Sequence, residues 1–80
     1  MVTKKIISSV SELQEIQFYA QRAKEDVAIM SPDSKISVDA KSFIGLFGLD
    51  FSKSVLIVSE DEWFHKKIAG VGHTVTDEEE

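Results

Sequence analysis

The sequence contains no cysteine and no long apolar run, and each absence excludes a class of protein. Without cysteine the fold has no disulfide framework, which fits a reducing compartment. The longest apolar run is about seven residues, far below the roughly 20 that a membrane-spanning helix needs. Lys4 and Lys5 are followed by no apolar segment of the export-signal type. We therefore expect a cytoplasmic protein that does not bind membranes.

Positive charge is also scarce. The formal net charge is −5, and residues 77–80 supply −4 of it, which leaves −1 on residues 1–76. Residues 1–76 are therefore nearly neutral and offer no basic face for phosphate groups, so we expect no nucleic-acid partner. A chain of 80 residues that is 42% hydrophobic fits one small globular domain. We expect that domain to span residues 1–72, with residues 73–80 forming a disordered acidic tail.

Hydrophobic patterning predicts four strands and three helices. Ser9 with Glu12, and Ser59 with Glu62, have the spacing of a capping box, which predicts a helix after each serine. The resulting order, β-α-β-β-α-β-α, favours an α+β open-faced sandwich: a four-stranded antiparallel sheet with helices packed on one face. The strand-like segments are residues 3–8, 27–30, 35–40 and 55–58.

Residues 41–49 are the least polar segment of the chain. Ser42 can cap a helix start, and Gly48 stands where a chain leaves a helix through a left-handed residue. The intervening two turns carry four large apolar residues, too many to bury on one narrow face. One interpretation is that part of this set contacts a partner; the other is that all four residues are core.

The same segment resembles a known family. Residues 41–49 read Lys-Ser-Phe-Ile-Gly-Leu-Phe-Gly-Leu. They are similar to Lys-Ser-Ile-Met-Gly-Val-Met-Ser-Leu of HPr, the histidine-containing phosphocarrier of the bacterial phosphoenolpyruvate–sugar phosphotransferase system. Flanking residues extend the likeness to short HPr-like proteins of the clostridial type, over roughly residues 27–60. The resemblance implies the HPr-like fold, which has the element order given above.

The resemblance also implies site residues. In HPr of many Gram-positive bacteria a serine kinase phosphorylates the residue matching Ser42, and the phosphoprotein binds a transcriptional regulator. Ser42 is therefore the regulatory phosphorylation candidate, with a plain helix cap as the alternative. Ile44 and Phe47 match two methionines of the HPr docking surface. With Lys41, they are the partner-interface candidates, and the implied partners are phosphotransferase-system proteins.

The chain lacks the histidine on which the carrier chemistry of HPr depends. HPr places a phosphorylated histidine just after the first strand, within Gly-x-His-Ala-Arg-Pro. The corresponding residues 8–11 read Ser-Ser-Val-Ser, so we expect no phosphohistidine and no catalytic residue. His65 is predicted on the polar side of the last helix and His73 in the tail, both as solvated side chains. Neither has metal-ligand spacing, so we expect no metal and no cofactor.

These observations predict a non-enzymatic, HPr-like protein of the phosphotransferase system. Its role would be regulatory or degenerate, and it would act through protein–protein contacts around residues 41–49. The alternative is a small structural or adaptor domain that shares the fold without a role in phosphotransfer. The sequence is consistent with both hypotheses, the regulatory protein and the adaptor domain.

Overall fold

A computed structural model describes residues 1–42 and 49–76. Over these residues the chain forms two helices and one five-stranded antiparallel sheet, an α+β fold. The sheet has the strand order β3-β2-β4-β1-β5. In chain order the elements are β1 (Val2–Ile6), α1 (Val10–Arg22), β2 (Ala28–Met30), β3 (Ser37–Asp39), β4 (Val55–Val58), α2 (Glu62–Ile68) and β5 (His73–Thr74).

The two faces of the sheet differ in burial. Because side chains alternate along a strand, the row that runs through Thr3, Ile57 and Ile29 faces one side of the sheet. Ile57 and Ile29 are fully enclosed there, in a core that also contains the apolar stripes of both helices. The opposite face remains open, and Val2 and Ile6 are exposed on it. Both helices therefore cover the same face.

Each of the two helices carries apolar residues at helical spacing, which predicts one buried stripe per helix, and the structure has both stripes. Leu13, Ile16 and Ala20 of α1 are buried, as are Phe64 and Ile68 of α2. Helical spacing places each set on one side of its helix, toward the sheet. The core therefore lies between the sheet and one layer of helices.

The first helix cap follows the sequence pattern, and the second differs from it. Ser9 caps α1, where its hydroxyl accepts a hydrogen bond from the N–H of Glu12. Ser59 was expected to cap α2, but the cap is Asp61, whose Oδ1 accepts from the N–H of Phe64 at 3.0 Å. Ser59 instead accepts from the N–H of Asp61, so the helix begins two residues later than the capping box predicts.

The number of strands also differs from the expected four. His73 and Thr74 were assigned to a disordered tail, but they pair with Ile6 and Lys5 as β5. The N–H of Val75 extends this pairing with a 2.8 Å hydrogen bond to the carbonyl of Lys4. β5 satisfies backbone groups at the edge of β1 that would otherwise be unpaired. Residues 77–80 and the helix expected after Ser42 lie outside the described residues.

Within the described residues, neither helix combines the length and apolar character needed to cross a membrane.

Candidate functional site

Lys41 and Ser42 follow directly from the edge strand β3. A turn centred on Asp39 holds both: its Oδ1 accepts from the N–H of Lys41 at 2.9 Å, and its carbonyl accepts from the N–H of Ser42 at 3.1 Å. The Lys41 ammonium donates to the carbonyl of Ala23, just beyond α1, at 3.3 Å. This turn therefore fixes the start of the candidate segment against the end of α1.

Ser42 is exposed, and Lys41 is partly buried. An exposed hydroxyl is accessible to a modifying enzyme, which Ser42 requires as a phosphorylation candidate. The other two interface candidates, Ile44 and Phe47, lie outside the described residues, and so does the capping role expected of Ser42. Leu49, at the far end of the segment, is buried in the core.

The N-terminus of α1 is where the resemblance to HPr would place a phosphorylated histidine. Side chains of the chain itself bind two backbone N–H groups at this helix end. Oε1 of Glu12 accepts a 2.7 Å hydrogen bond from the N–H of Ser8, while Ser9 accepts from the N–H of Glu12. This arrangement is a capping box in which the carboxylate reaches one residue beyond the cap. The N–H groups of Ser8 and Glu12 are therefore already occupied, and the Glu12 carboxylate brings negative charge to this helix end.

A shallow recess of about 260 Å³ borders this helix end. Ile7, Leu13 and Phe51 give it apolar walls, and Ser8 and Ser9 contribute its polar rim. Such a lining offers no cation for a phosphate group. The recess therefore lacks the positive charge that a phosphocarrier site needs.

His65 differs from its expected position. The side chain is only 8% exposed, and both ring nitrogens have partners. Nε2 donates to the carbonyl of Ser59 at 2.9 Å, since a carbonyl can only accept, and Nδ1 lies 2.7 Å from the hydroxyl of Thr3. His65 lies beside the Phe64–Ile68 stripe, close enough to be covered by the sheet. The expectation of a solvated histidine is therefore wrong at this position.

His73 is exposed, and its backbone pairs with Ile6 in β5. It lies on a strand, whereas the sequence pattern placed it in a tail. The two histidines are thus held by different elements, with His65 on α2 beneath the sheet. Among the described residues no group of three histidine, aspartate or glutamate side chains could hold a metal ion.

Lys5 is a buried charged residue that the sequence pattern does not reveal. Its side chain is fully enclosed, and its ammonium donates to the hydroxyl of Thr74 at 2.7 Å and to the carbonyl of Ala69 at 3.3 Å. Burial lowers the pKa of Lys5, because water no longer solvates the ammonium, and the Glu12 carboxylate acts in the opposite direction. Lys5 therefore ties β5 and the end of α2 to the first strand.

The chain was compared with protein-family models, with curated proteins and with solved structures. None of them matches it. The likeness to HPr accordingly depends on the residues quoted from the sequence, and the functional argument depends on the geometry above.

Proposed function

We propose that this protein is an HPr-like regulatory domain of the phosphotransferase system that acts through protein–protein contacts and carries no phosphohistidine. The order of elements supports this proposal. Before and after residues 43–48, the chain runs β-α-β-β and then β-α-β, which apart from β5 is the order that the HPr resemblance implies for these parts. The sheet is antiparallel, and both helices cover one face of it.

The observation that carries the proposal is the acidic N-terminus of α1, where the Glu12 carboxylate lies. A phosphocarrier needs free N–H groups and positive charge there, because the phosphoryl group is an anion. In this chain the Glu12 carboxylate occupies the N–H of Ser8 and adds negative charge at the same place. Such an arrangement stabilises the helix, and its negative charge repels a phosphate group at this end. It therefore favours a role without carrier chemistry.

Ser42 is the residue through which such a domain would be regulated. It is exposed at the end of a turn held by backbone groups, so a phosphate can be added without breaking a side-chain hydrogen bond of the described residues. A phosphate brings about −1.5 to −2 charges at neutral pH. With the Asp39 carboxylate nearby, it would change the surface mainly by making it more negative.

Phosphotransfer assays test the proposal directly. Incubated with phosphoenolpyruvate and the first enzyme of the system, the protein should acquire no acid-labile phosphate. The serine kinase with ATP should add one acid-stable phosphate to the wild-type protein and to Ser11→Ala, which removes an exposed serine of α1. The Ser42→Ala variant should remain unlabelled. A rapidly labelled histidine would overturn the proposal.

Contact through residues 41–49 is tested with Ile44→Glu and Phe47→Glu. Both variants should fold and should weaken binding to phosphotransferase-system proteins or to their transcriptional regulator. Val2→Glu is a matched control, because Val2 is an exposed apolar residue on the open face of the sheet. Absence of labelling and of binding in the wild-type protein would favour the adaptor alternative. Unfolding of the Ile44 or Phe47 variant would assign these side chains to the core.

A further inference from the structure

A row of aromatic rings joins the two helices on the side that faces solvent. The rings of Phe18 and Tyr19 meet edge to face, with centroids 5.3 Å apart at 87°. The rings of Tyr19 and Trp63 also meet edge to face, with centroids 6.2 Å apart and an interplanar angle of 77°. Phe18 is 49% exposed and Trp63 42% exposed, whereas Tyr19 packs against the core. This aromatic face is defined by Phe18, Tyr19 and Trp63, none of which belongs to the segment 41–49.

Cations surround the aromatic face. The Arg22 guanidinium carbon lies 3.5 Å from the centroid of the Phe18 ring, and the Lys67 ammonium lies 5.9 Å from that of Trp63. Arg22, Lys24 and Trp63 also line an adjoining recess of about 320 Å³. Three cations therefore lie around these rings, and the Asp61 carboxylate lies in the same recess.

These cations are not neutralised by the chain's own carboxylates. Over residues 1–42 and 49–76, the ion pair that the structure contains joins the Met1 amino group to Glu60. The recess does hold one carboxylate, Asp61, but its oxygens accept from the backbone N–H groups of Lys24 and Phe64. These hydrogen bonds keep the pKa of Asp61 below its ordinary value. Arg22, Lys24 and Lys67 thus retain charge that a partner can use.

The composition of this surface is that of binding hot spots. Tryptophan, tyrosine and arginine are enriched where alanine substitution costs most affinity. The edge-to-face rings and the stacked guanidinium are already ordered, because Arg22 also donates to the carbonyl of Phe18 at 2.9 Å. A preordered surface loses little conformational entropy on binding. The half-exposed rings of Phe18 and Trp63 supply the apolar contact.

We propose that the aromatic face binds an acidic peptide segment of a partner protein, with one apolar side chain as its anchor. The anchor packs between Phe18 and Trp63, and the flanking carboxylates meet Arg22, Lys24 and Lys67. Spaced carboxylates fit better than a continuous phosphate backbone, because Asp61 lies in the recess and Glu62 precedes Trp63. A protein segment is therefore favoured over single-stranded nucleic acid. The proposal uses no residue of the segment 41–49.

Selection from a library of random linear peptides on the immobilised full chain tests this proposal. The enriched peptides should be acidic and should contain an aromatic or large aliphatic residue. Their affinity for the wild-type protein should fall as salt is raised, because salt screens the exposed charges. Amide chemical shifts of the labelled protein should move mainly in the second half of α1 and the first turn of α2.

Matched variants then locate the site. Trp63→Ala and Lys67→Glu should each weaken binding by about tenfold or more. Val10→Ala removes another exposed apolar side chain, and Lys53→Glu makes the same charge change at another exposed lysine, so both should bind as the wild type does. If Trp63→Ala does not fold, the difference in binding between Lys67→Glu and Lys53→Glu tests the proposal by itself.

Three outcomes would overturn the proposal: no enrichment, enriched peptides without acidic residues, or equal binding by Lys67→Glu and Lys53→Glu. Tighter binding of a single-stranded oligothymidylate than of the selected peptides would likewise overturn it, and would assign the face to nucleic acid.

Discussion

The buried contact between Thr3 and His65 yields a quantitative test of how the first strand is joined to the second helix. Thr3→Val replaces the hydroxyl by a methyl group of similar shape and leaves Nδ1 of His65 without its 2.7 Å partner. A neutral hydrogen bond contributes about 1 kcal/mol, and an unsatisfied buried polar atom costs roughly 1–3 kcal/mol. We therefore expect Thr3→Val to lower the free energy of unfolding by about 1–2 kcal/mol.

A double-mutant cycle separates this contact from other effects of the substitution. His65→Ala removes the ring, so Thr3→Val in that background no longer breaks a hydrogen bond and should cost close to nothing. The coupling free energy should then be about 1–2 kcal/mol. Urea denaturation measures it: with a slope of about 1 kcal/mol per molar urea for a domain of this size, Thr3→Val alone should lower the midpoint by about 1–2 M.

Thr76→Val provides the matched control, because Thr76 is exposed beyond β5 and should change stability little. Equal losses for Thr3→Val with and without His65 would refute the contact. If Thr3→Val and His65→Ala were each as stable as the wild type, the imidazole would not be buried. The solvated histidine that the sequence predicts would then be correct.

Two further predictions concern the residues that hold β5. Because burial lowers the pKa of Lys5 below 10.5, the unfolded chain binds more protons between the folded-state pKa and 10.5, so stability should rise with pH across that window. Lys5→Met should lack this rise in denaturation curves recorded at successive pH values, and an unchanged slope would contradict it. Gly72→Ala should destabilise the protein by about 1–3 kcal/mol, because φ is +66° and the new Cβ would lie 2.9 Å from the carbonyl of Ile6. Gly70→Ala, which meets nothing within 4 Å, should be nearly neutral in thermal denaturation, and equal effects of the two would contradict the strain at Gly72.

Local sequence signals account for most of the described elements. The serine–glutamate spacing at Ser9 locates the start of α1, because a cap depends on residues within one turn. The continuous apolar run at residues 55–58 coincides with β4. Ile36 shows the limit of such signals: alternation with Val38 and Ala40 places it on the buried side of a strand over residues 35–40, but Ile36 is 48% exposed, before the start of β3.

The features that the sequence did not reveal depend on partners far away in the chain. His65 is buried by Thr3, 62 residues away, and Lys5 bonds to Thr74 at a separation of 69 residues. β5 has only two polar residues, too few for an alternating pattern. Burial of such groups follows from how elements pack, which periodicity within one element does not contain. Of the candidate site, Ser42 is exposed, and the roles predicted for Ser42, Ile44 and Phe47 stay predictions.

The two ends of α1 differ in whether their polar groups are already satisfied, and this difference bears on where a partner binds. At the N-terminus, the Ser9 hydroxyl accepts from the N–H of Glu12 and the Glu12 carboxylate accepts from the N–H of Ser8, so both polar side chains already have partners. Near the C-terminus, Phe18 remains half exposed and Arg22 has no carboxylate partner among the described residues. Binding free energy comes only from groups that gain contacts in the complex. A partner of this helix should therefore contact its C-terminal half.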